Sequence, residues 1–298
     1  MFNRALVGVD GQQGGRDAVA LATRLSASTK KLMLAHVYRA HGDPSVRGYD
    51  EHEAAQITRA RQVLQSASEW SRSDTELRWI SAASPGRGLH QLAETTSADL
   101  LVVGSTRRGR FGRVLLGDDT RAALDGAPCA VAIAPAGYAG QTAGMAKVGV
   151  GYDGSTDSKL ALITARALAS ELGATLAALE VVVFASYSFS GPVAGDSTLI
   201  ADLVDQARGR VASLGDVEPH AVVGQPADAL AEWSSSLDLL VVGSRGSGPV
   251  GRLVHGSTSW ELTRHSRCPL LVVPRARRTV TGAHAAPDGL ELATPSRH

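Results

Sequence analysis

The chain contains an internal duplication, and this repeat constrains the possible folds more than any other sequence feature. Residues 97–105 read SADLLVVGS and residues 236–244 read SLDLLVVGS, so the two blocks differ at a single position. The same offset of 139 residues relates Cys129 to Cys268. A two-copy repeat of about 140 residues indicates two tandem domains of one fold, because solenoid units are only ~20–50 residues long.

Apolar runs with strand character alternate with helical patterns in both halves, and this alternation predicts a parallel sheet covered by helices on both faces. The fold class is therefore α/β, with two tandem doubly wound domains that each contain a five-stranded parallel sheet. The predicted bounds are 1–138 for the first domain, 146–275 for the second and 276–298 for a disordered tail. The small-residue segment at 135–146 is predicted to be a linker.

The first helix of the second half has clear start and stop signals. Ser155 is predicted to be its N-cap and Gly173 its C-terminal stop. Its predicted apolar face includes Leu160, Ile163 and Leu168. In the first half, Pro85 and Gly86 are predicted to form a turn.

A glycine-rich segment, GSRGSGPVGRLVHGST at 243–258, follows a strand-like run that ends at Val242 and leads into a helical pattern. Glycines let the backbone approach a ligand closely, and a helix N-terminus offers unpaired N–H groups that suit a phosphate. The segment contains no lysine and is not the phosphate loop of P-loop enzymes. A structural interpretation is also open, in which Thr258 and Glu261 form a capping box on a surface loop.

The spacing of Gly243, Gly246, Gly256 and Ser257 resembles the nucleotide-binding signature of the universal stress protein family, in its ATP-binding branch. The resemblance covers about 270 residues, as two copies of the family domain. It implies a strand order of 3-2-1-4-5 in each half. It also implies that the ligand is ATP, with or without Mg²⁺. We predict no residue of the chain as a metal ligand.

The resemblance implies that Asp153 contacts the base or the ribose and that Val181 contacts the base. The residues themselves leave a second interpretation open, because an aspartate after a strand often binds its own backbone in a turn. The site residues implied in the second half are Gly151, Tyr152, Asp153, Val181, Val242, Gly243, Arg245, Gly246, Gly256, Ser257 and Thr258.

The first half departs from this signature. Its weaker candidate residues are Asp10, Val37, Gly104 and Gly117, but Arg107 replaces the second glycine and Asp118 replaces the serine. A carboxylate placed 4 Å from a phosphate costs about 4 kcal/mol per charge pair at an effective dielectric constant of ~20. We therefore expect the first half to bind ATP weakly or not at all, unless Arg107, Arg108 or Arg110 compensates.

The composition limits the classes of partner. The formal net charge is +1, which does not point to nucleic acid or to an anionic membrane. We found neither an apolar run of ~18 residues nor a signal-peptide pattern, so we expect a cytoplasmic protein. By analogy with dimers of single-domain members, the two halves should pair within one chain, and further homodimerisation remains open.

The expected function is that of an ATP-binding sensor or regulator in a stress response rather than a dedicated enzyme. A phosphoryl-transfer enzyme needs a metal-binding carboxylate and a base near the γ-phosphate, and no D-x-D, HRD or Walker element is present. One alternative is a slow ATPase or autophosphorylating enzyme of the same fold. The other is an interaction scaffold that binds no nucleotide.

Overall fold

The computed structural model describes residues 1–25, 31–39, 49–71, 74–105, 118–183, 197–244 and 257–274. The first half runs in the order β1 (Arg4–Gly8), α1 (Gln13–Leu25), β2 (Lys31–Tyr38), α2 (Tyr49–Ser68), β3 (Thr75–Ser81), α3 (Pro85–Thr95), β4 (Leu100–Gly104), α4 (Asp118–Leu124) and β5 (Ala130–Ala134). The second half runs in the order β6 (Lys147–Gly151), α5 (Thr156–Leu172), β7 (Thr175–Val182), α6 (Ser197–Ala212), β8 (Glu218–Val223), α7 (Pro226–Trp233), β9 (Leu239–Gly243), α8 (Ser257–His265) and β10 (Leu270–Val273). The tail predicted at 276–298 lies outside the described residues.

The strands form a single mixed sheet in the order β3-β2-β1-β4-β5-β10-β9-β6-β7-β8. Within each half the neighbouring strands are parallel, and the order 3-2-1-4-5 is confirmed. The two five-stranded sheets are not separate, because β5 pairs antiparallel with β10. Consecutive buried apolar residues in the central strands reflect the helices that cover both faces.

The aspartate of each repeated block forms hydrogen bonds with the backbone at the start of the first strand of the same half. Asp99 accepts hydrogen bonds from the backbone N–H groups of Asn3 and Arg4, at 2.8 and 3.1 Å. Asp238 accepts hydrogen bonds from the N–H of the first residue of β6 and from the N–H before it, both at 2.8 Å. The repeated aspartate therefore has a structural role, which satisfies backbone donors at the open start of a strand.

The segment predicted to be a linker is held against the first half. The side chain of Asp17 is buried and accepts hydrogen bonds from the N–H groups of Gly137 and Ala139, at 2.9 and 2.8 Å. Between them Tyr138 is buried, and the guanidinium carbon of Arg24 lies 4.7 Å from its ring centroid. Burial raises the pKa of the Tyr138 hydroxyl above its ordinary value. The chain that leaves β5 is thus fixed before it reaches the second half.

The predicted helix signals were right in α5 and wrong in α3. Ser155 caps α5 by accepting a hydrogen bond from the N–H of Ser158, and Gly173 ends the helix in the left-handed conformation with φ 63°. Ile163 is 61% exposed, so its predicted place on the apolar face is wrong. The segment at Pro85 and Gly86 is the first turn of α3 rather than a separate turn, because proline is favoured at the first helical position.

Candidate functional site

A cleft of about 210 Å³ lies at the carboxyl edge of the second half, beyond the ends of β6, β7 and β9. The strands on either side of β6 are reached by crossovers in opposite directions, which makes this position the topological switch point where ligands of open α/β sheets bind. The cleft is lined by Gly151, Tyr152, Asp153, Ser155, Asp157, Ser158, Leu179, Val181, Val183, Pro226, Leu230, Val242, Gly243, Thr258 and Ser259.

Seven of the eleven residues predicted for the second-half site line this cleft. They are Gly151, Tyr152, Asp153, Val181, Val242, Gly243 and Thr258. Ser257 is exposed at the first position of α8. Arg245, Gly246 and Gly256 lie outside the described residues, so their predicted roles are neither supported nor contradicted by the structure.

Asp153 lies at the mouth of the cleft, in the turn between β6 and α5. Its Oδ1 accepts a hydrogen bond from the N–H of Ser155 at 3.1 Å, which is an Asx turn. Asp10 makes the equivalent bond to the N–H of Gln12 at 2.9 Å in the first half. The structural interpretation of this aspartate therefore applies in both halves. In the second half the same residue is also exposed and lines the cleft.

Two serines organise the start of α5 beneath Asp153. The N–H of Ser158 donates to the Oγ of Ser155 at 3.2 Å, and the Oγ of Ser158 donates to the carbonyl of Ser155 at 3.0 Å. The N–H of Asp153 in turn donates to the Oγ of Ser158 at 3.3 Å. This network connects the turn to the first helical residues, and its polar groups line one wall of the cleft.

Gly243 ends β9 directly against the first turn of α5. A Cβ on Gly243 would lie 2.6 Å from the carbonyl carbon and carbonyl oxygen of Asp157. The first half has the same arrangement, since a Cβ on Gly104 would lie 1.9 Å from the carbonyl oxygen of Gly14. Close packing of helix and strand thus explains the glycine at both positions, and no ligand is needed to account for either one.

Gly151 has a similar explanation at the end of β6. A Cβ at this position would lie 3.2 Å from a methyl group of Leu230 on α7 and 3.5 Å from Val242 on β9. Both neighbours are buried, and both line the cleft. The glycine allows α7 to pack close to the sheet, and this packing closes the apolar end of the cleft.

The apolar wall of the cleft comes from β7, β9 and α7. Leu179 and Val181 lie on the same face of β7, and Leu230 from α7 contributes to the same wall. The intervening residue of β7, Glu180, is placed on the opposite face, where it accepts a hydrogen bond from the guanidinium Nε of Arg210 at 3.2 Å. This bond raises the pKa of the Arg210 guanidinium. The single charged residue of β7 is therefore directed away from the cleft.

The start of α8 completes the polar side of the cleft through Thr258 and Ser259. The helix begins at Ser257, so Thr258 is already inside it and is not its N-cap. The capping box predicted for Thr258 and Glu261 is therefore wrong. The carboxylate of Glu261 instead lies 3.5 Å from the Nδ1 of His265, one turn further along α8.

In the first half, three of the four weaker candidates are described and they lie in corresponding positions. Asp10 follows β1, Val37 is near the end of β2, and Gly104 ends β4. A Cβ on Gly88 would lie 2.6 Å from a methyl group of Val37, so α3 packs tightly over that residue. Gly117 and the arginines at 107, 108 and 110 lie outside the described residues, and α4 begins at Asp118.

Sequence analysis missed several lining residues, notably Asp157, Ser158, Pro226 and Leu230. Asp157 and Ser158 follow Asp153 by one helical turn, which is a spacing that could have placed them on the same side. Leu230 had no recognisable signal, because an apolar residue in a short helix is typical of any core. Among the residues the structure describes, no group of three or more His, Cys, Asp or Glu side chains could hold a metal ion.

Comparison with known proteins identifies the family. The model of the universal stress protein family matches residues 1–135 and again residues 145–274. The chain belongs to the universal stress protein family. It is a tandem member, because each half of the ten-stranded sheet corresponds to one match.

Full-length relatives share this tandem organisation. A universal stress protein of Mycobacterium tuberculosis is 30% identical over 287 residues, which covers 90% of this chain and 95% of the relative. A universal stress protein of Thermus aquaticus is 32% identical over 133 residues, covering 41% of this chain and 93% of the relative. The tandem chain is thus similar to two-domain and to single-domain universal stress proteins.

The fold of this universal stress protein also matches solved structures. A universal stress protein from Archaeoglobus fulgidus superposes with a TM-score of 0.62 at 21% identity, over 92% of this chain and 99% of that one. A structure from Pseudomonas aeruginosa superposes with a TM-score of 0.61 at 16% identity, over 92% and 93% of the two chains. Within the described part of the chain, no helix is both long enough and apolar enough to span a bilayer.

Proposed function

We propose that this universal stress protein binds ATP in the cleft of its second half and acts as a nucleotide-dependent sensor or regulator in a stress response. The observation that carries the proposal is the composition of the cleft at the switch point of β6. The cleft combines apolar side chains with a carboxylate and with hydroxyl groups at the starts of two helices.

The apolar side chains suit a nucleobase. Leu179, Val181 and Leu230 provide a hydrocarbon surface in the cleft, where a purine ring would lose water-exposed area. Asp153 at the mouth can accept hydrogen bonds from an amino group or from ribose hydroxyls. Pockets for small ligands typically combine such an apolar lining with a few placed polar groups.

The polar groups suit the phosphates. The first turn of α8 contributes Thr258 and Ser259 to the lining, and the positive end of a helix dipole favours an anion. The triphosphate would bring Mg²⁺ as its own counterion. The cleft volume is below the ~300–1,000 Å³ that is typical of ligand pockets. The segment 245–256, which joins β9 to α8, lies outside the described residues.

We assign the nucleotide mainly to the second half because the first half lacks the matching chemistry. Ser158 in α5 corresponds to Gly15 in α1, so the first half has no hydroxyl group at this position. Tight packing of α3 over Val37 also limits the space at the base end. The aspartate at position 118 adds a negative charge where the second half has Ser257.

A nucleotide-free scaffold is the competing function, and specific observations favour it. Close packing accounts for Gly151 and Gly243, and an Asx turn accounts for one oxygen of Asp153. These three residues would be required in a fold that binds nothing. The two functions differ in a single property, which is whether the cleft holds an adenine nucleotide in solution.

Nucleotide released from the purified, denatured protein tests the proposal, together with titration of the native protein with ATP. The informative variant is Val181→Glu, which places a carboxylate on the apolar wall, and its control is Val222→Glu on β8, where the side chain is 40% exposed and does not line the cleft. We expect ATP in the wild type and in the control, and its loss in Val181→Glu with an unchanged circular dichroism spectrum. Absence of nucleotide and of binding in the wild type would support the scaffold. Turnover above roughly 1 s⁻¹ would indicate an enzyme.

A further inference from the structure

The two halves are related by a pseudo-twofold axis that passes between β5 and β10. Ala132 lies directly opposite Leu271 in this antiparallel pair, and the repeat offset of 139 residues relates these same two positions. The flanking pairs, Ile133 with Leu270 and Val131 with Val272, exchange with each other under the same offset. Ala132 and Leu271 are therefore equivalent residues that meet on the axis.

A second pair of equivalent residues meets across the two halves. Arg121 on α4 and Trp260 on α8 are also related by the offset of 139 residues. The guanidinium carbon of Arg121 lies 4.7 Å from the centroid of the Trp260 ring, which is a cation–π contact. Two residues related by a twofold axis can contact each other only close to that axis. The contact between Arg121 and Trp260 therefore locates the axis in the helical layer, and the pair of Ala132 and Leu271 locates it in the sheet.

Both axial pairs join unlike residues. In the sheet a small side chain faces a large one, and both are fully buried. In the helical layer a cation faces an aromatic ring. Pairing two first halves would place alanine opposite alanine and arginine opposite arginine, leaving a void and two neighbouring like charges. Pairing two second halves would place leucine against leucine, which overfills the same space.

We propose that these two axial pairs select the partner of each half. The surface formed by β5 and α4 fits the surface formed by β10 and α8, and it disfavours a second copy of itself. Unlike contacts that are lost in the wrong pairing are a recognised route to specificity. The attachment of Gly137 and Ala139 to Asp17 then favours pairing within one chain, because it fixes where the connecting segment starts.

Residue-swap variants of the full chain test this selection. A132L and L271A each create a like pair, and the double variant A132L/L271A restores an unlike pair with the sides exchanged. R121W, W260R and R121W/W260R form the second set. We expect each single variant to lower Tm by a few degrees and to shift part of the protein to larger species in light scattering. Each double variant should regain most of the lost Tm and should contain fewer of the larger species than the single variants.

V131L and L270V form the matched control, because they change equivalent positions that do not face each other. Their effects should simply add in the double variant. The conservative pair R121K and R121M separates charge from packing, since lysine keeps the cation and methionine does not. The proposal is overturned if the axial swaps are additive like the control, or if R121K and R121M behave alike and every variant keeps the wild-type size and Tm.

Discussion

Gly243 packs so closely against Asp157 that a side chain at the end of β9 would displace the first turn of α5. Two elements that line the proposed nucleotide cleft are therefore joined by backbone contact. This contact links the stability of the fold to the shape of the cleft, so a mutation at Gly243 should change both.

Replacing Gly243 by alanine should destabilise the protein whether or not nucleotide is present. The added methyl group would lie 2.6 Å from backbone atoms of Asp157, and overpacking of this kind costs about 1–3 kcal/mol. Gly209→Ala is the control, because a Cβ there meets nothing within 4 Å in the helix α6. Urea denaturation without nucleotide should show a loss for the first variant and a gain of about 0.5–1 kcal/mol for the second. Equal stability of the two variants would contradict the packing role.

Removing the strand anchor of either half should lower the free energy of unfolding. Asp238→Ala leaves two backbone N–H groups at the start of β6 without their acceptor, and because both bonds are exposed or half-buried, we expect a net cost of about 0.5–1.5 kcal/mol. Asp99→Ala should behave in the same way at β1. Asp202→Ala, on the exposed side of α6, should change stability by no more than about 0.5 kcal/mol. The anchor role fails if all three variants have the same urea midpoint.

The buried thiol of Cys268 should make stability fall at alkaline pH. Burial raises its pKa from 9.0 to about 12. The folded state therefore favours the protonated thiol, and this contribution is complete below about pH 9 and declines as the pH rises towards 12. Cys268→Ala should flatten the alkaline part of a plot of unfolding free energy against pH.

Alkylation provides a second measurement of the same residue. Both thiols are buried, so iodoacetamide should modify Cys129 and Cys268 only slowly at pH 7.5 in the native protein and rapidly in urea. Rapid modification of Cys268 in the native state would show that the thiol is accessible and would contradict the assigned burial.

Removing the charge of Asp153 should weaken ATP binding without unfolding the turn. Asparagine keeps the oxygen that accepts the N–H of Ser155, so Asp153→Asn should retain the Asx turn and the wild-type Tm. Hydrogen bonds to a charged group contribute about 1.5–3 kcal/mol, which predicts a rise in Kd of roughly 10- to 100-fold. Asp10→Asn, which makes the equivalent turn in the first half, should leave the Kd unchanged.

The fold was largely predictable because its signals are local or repeated. The apolar strands of each half and the capping of α5 by Ser155 and Gly173 depend on neighbouring residues in the chain. The strand order came from the family resemblance and is confirmed. Successive residues of a helix are rotated by about 100° about its axis, and the buried face of α5 includes Leu162 and Leu168. Ile163 lies outside this face, so its predicted position was wrong.

The site was predictable only in part, for physical reasons. Asp153, Val181 and Val242 follow or end strands whose carboxyl ends share one edge of the sheet, so their convergence follows from the topology. The reasons for the glycines at 151 and 243 could not be predicted, because each depends on a helix that packs against it from a distant part of the chain. The axial pairing of Arg121 with Trp260 likewise requires the geometry of both halves.

Calorimetric titration of the full chain with ATP and Mg²⁺, after copurified nucleotide has been removed, tests the central claim most directly. The account predicts a single class of site with one ATP bound per chain, weakened in Asp153→Asn and retained in Asp10→Asn. No heat of binding, two equally tight sites per chain, or an equal loss of affinity in both variants would contradict it.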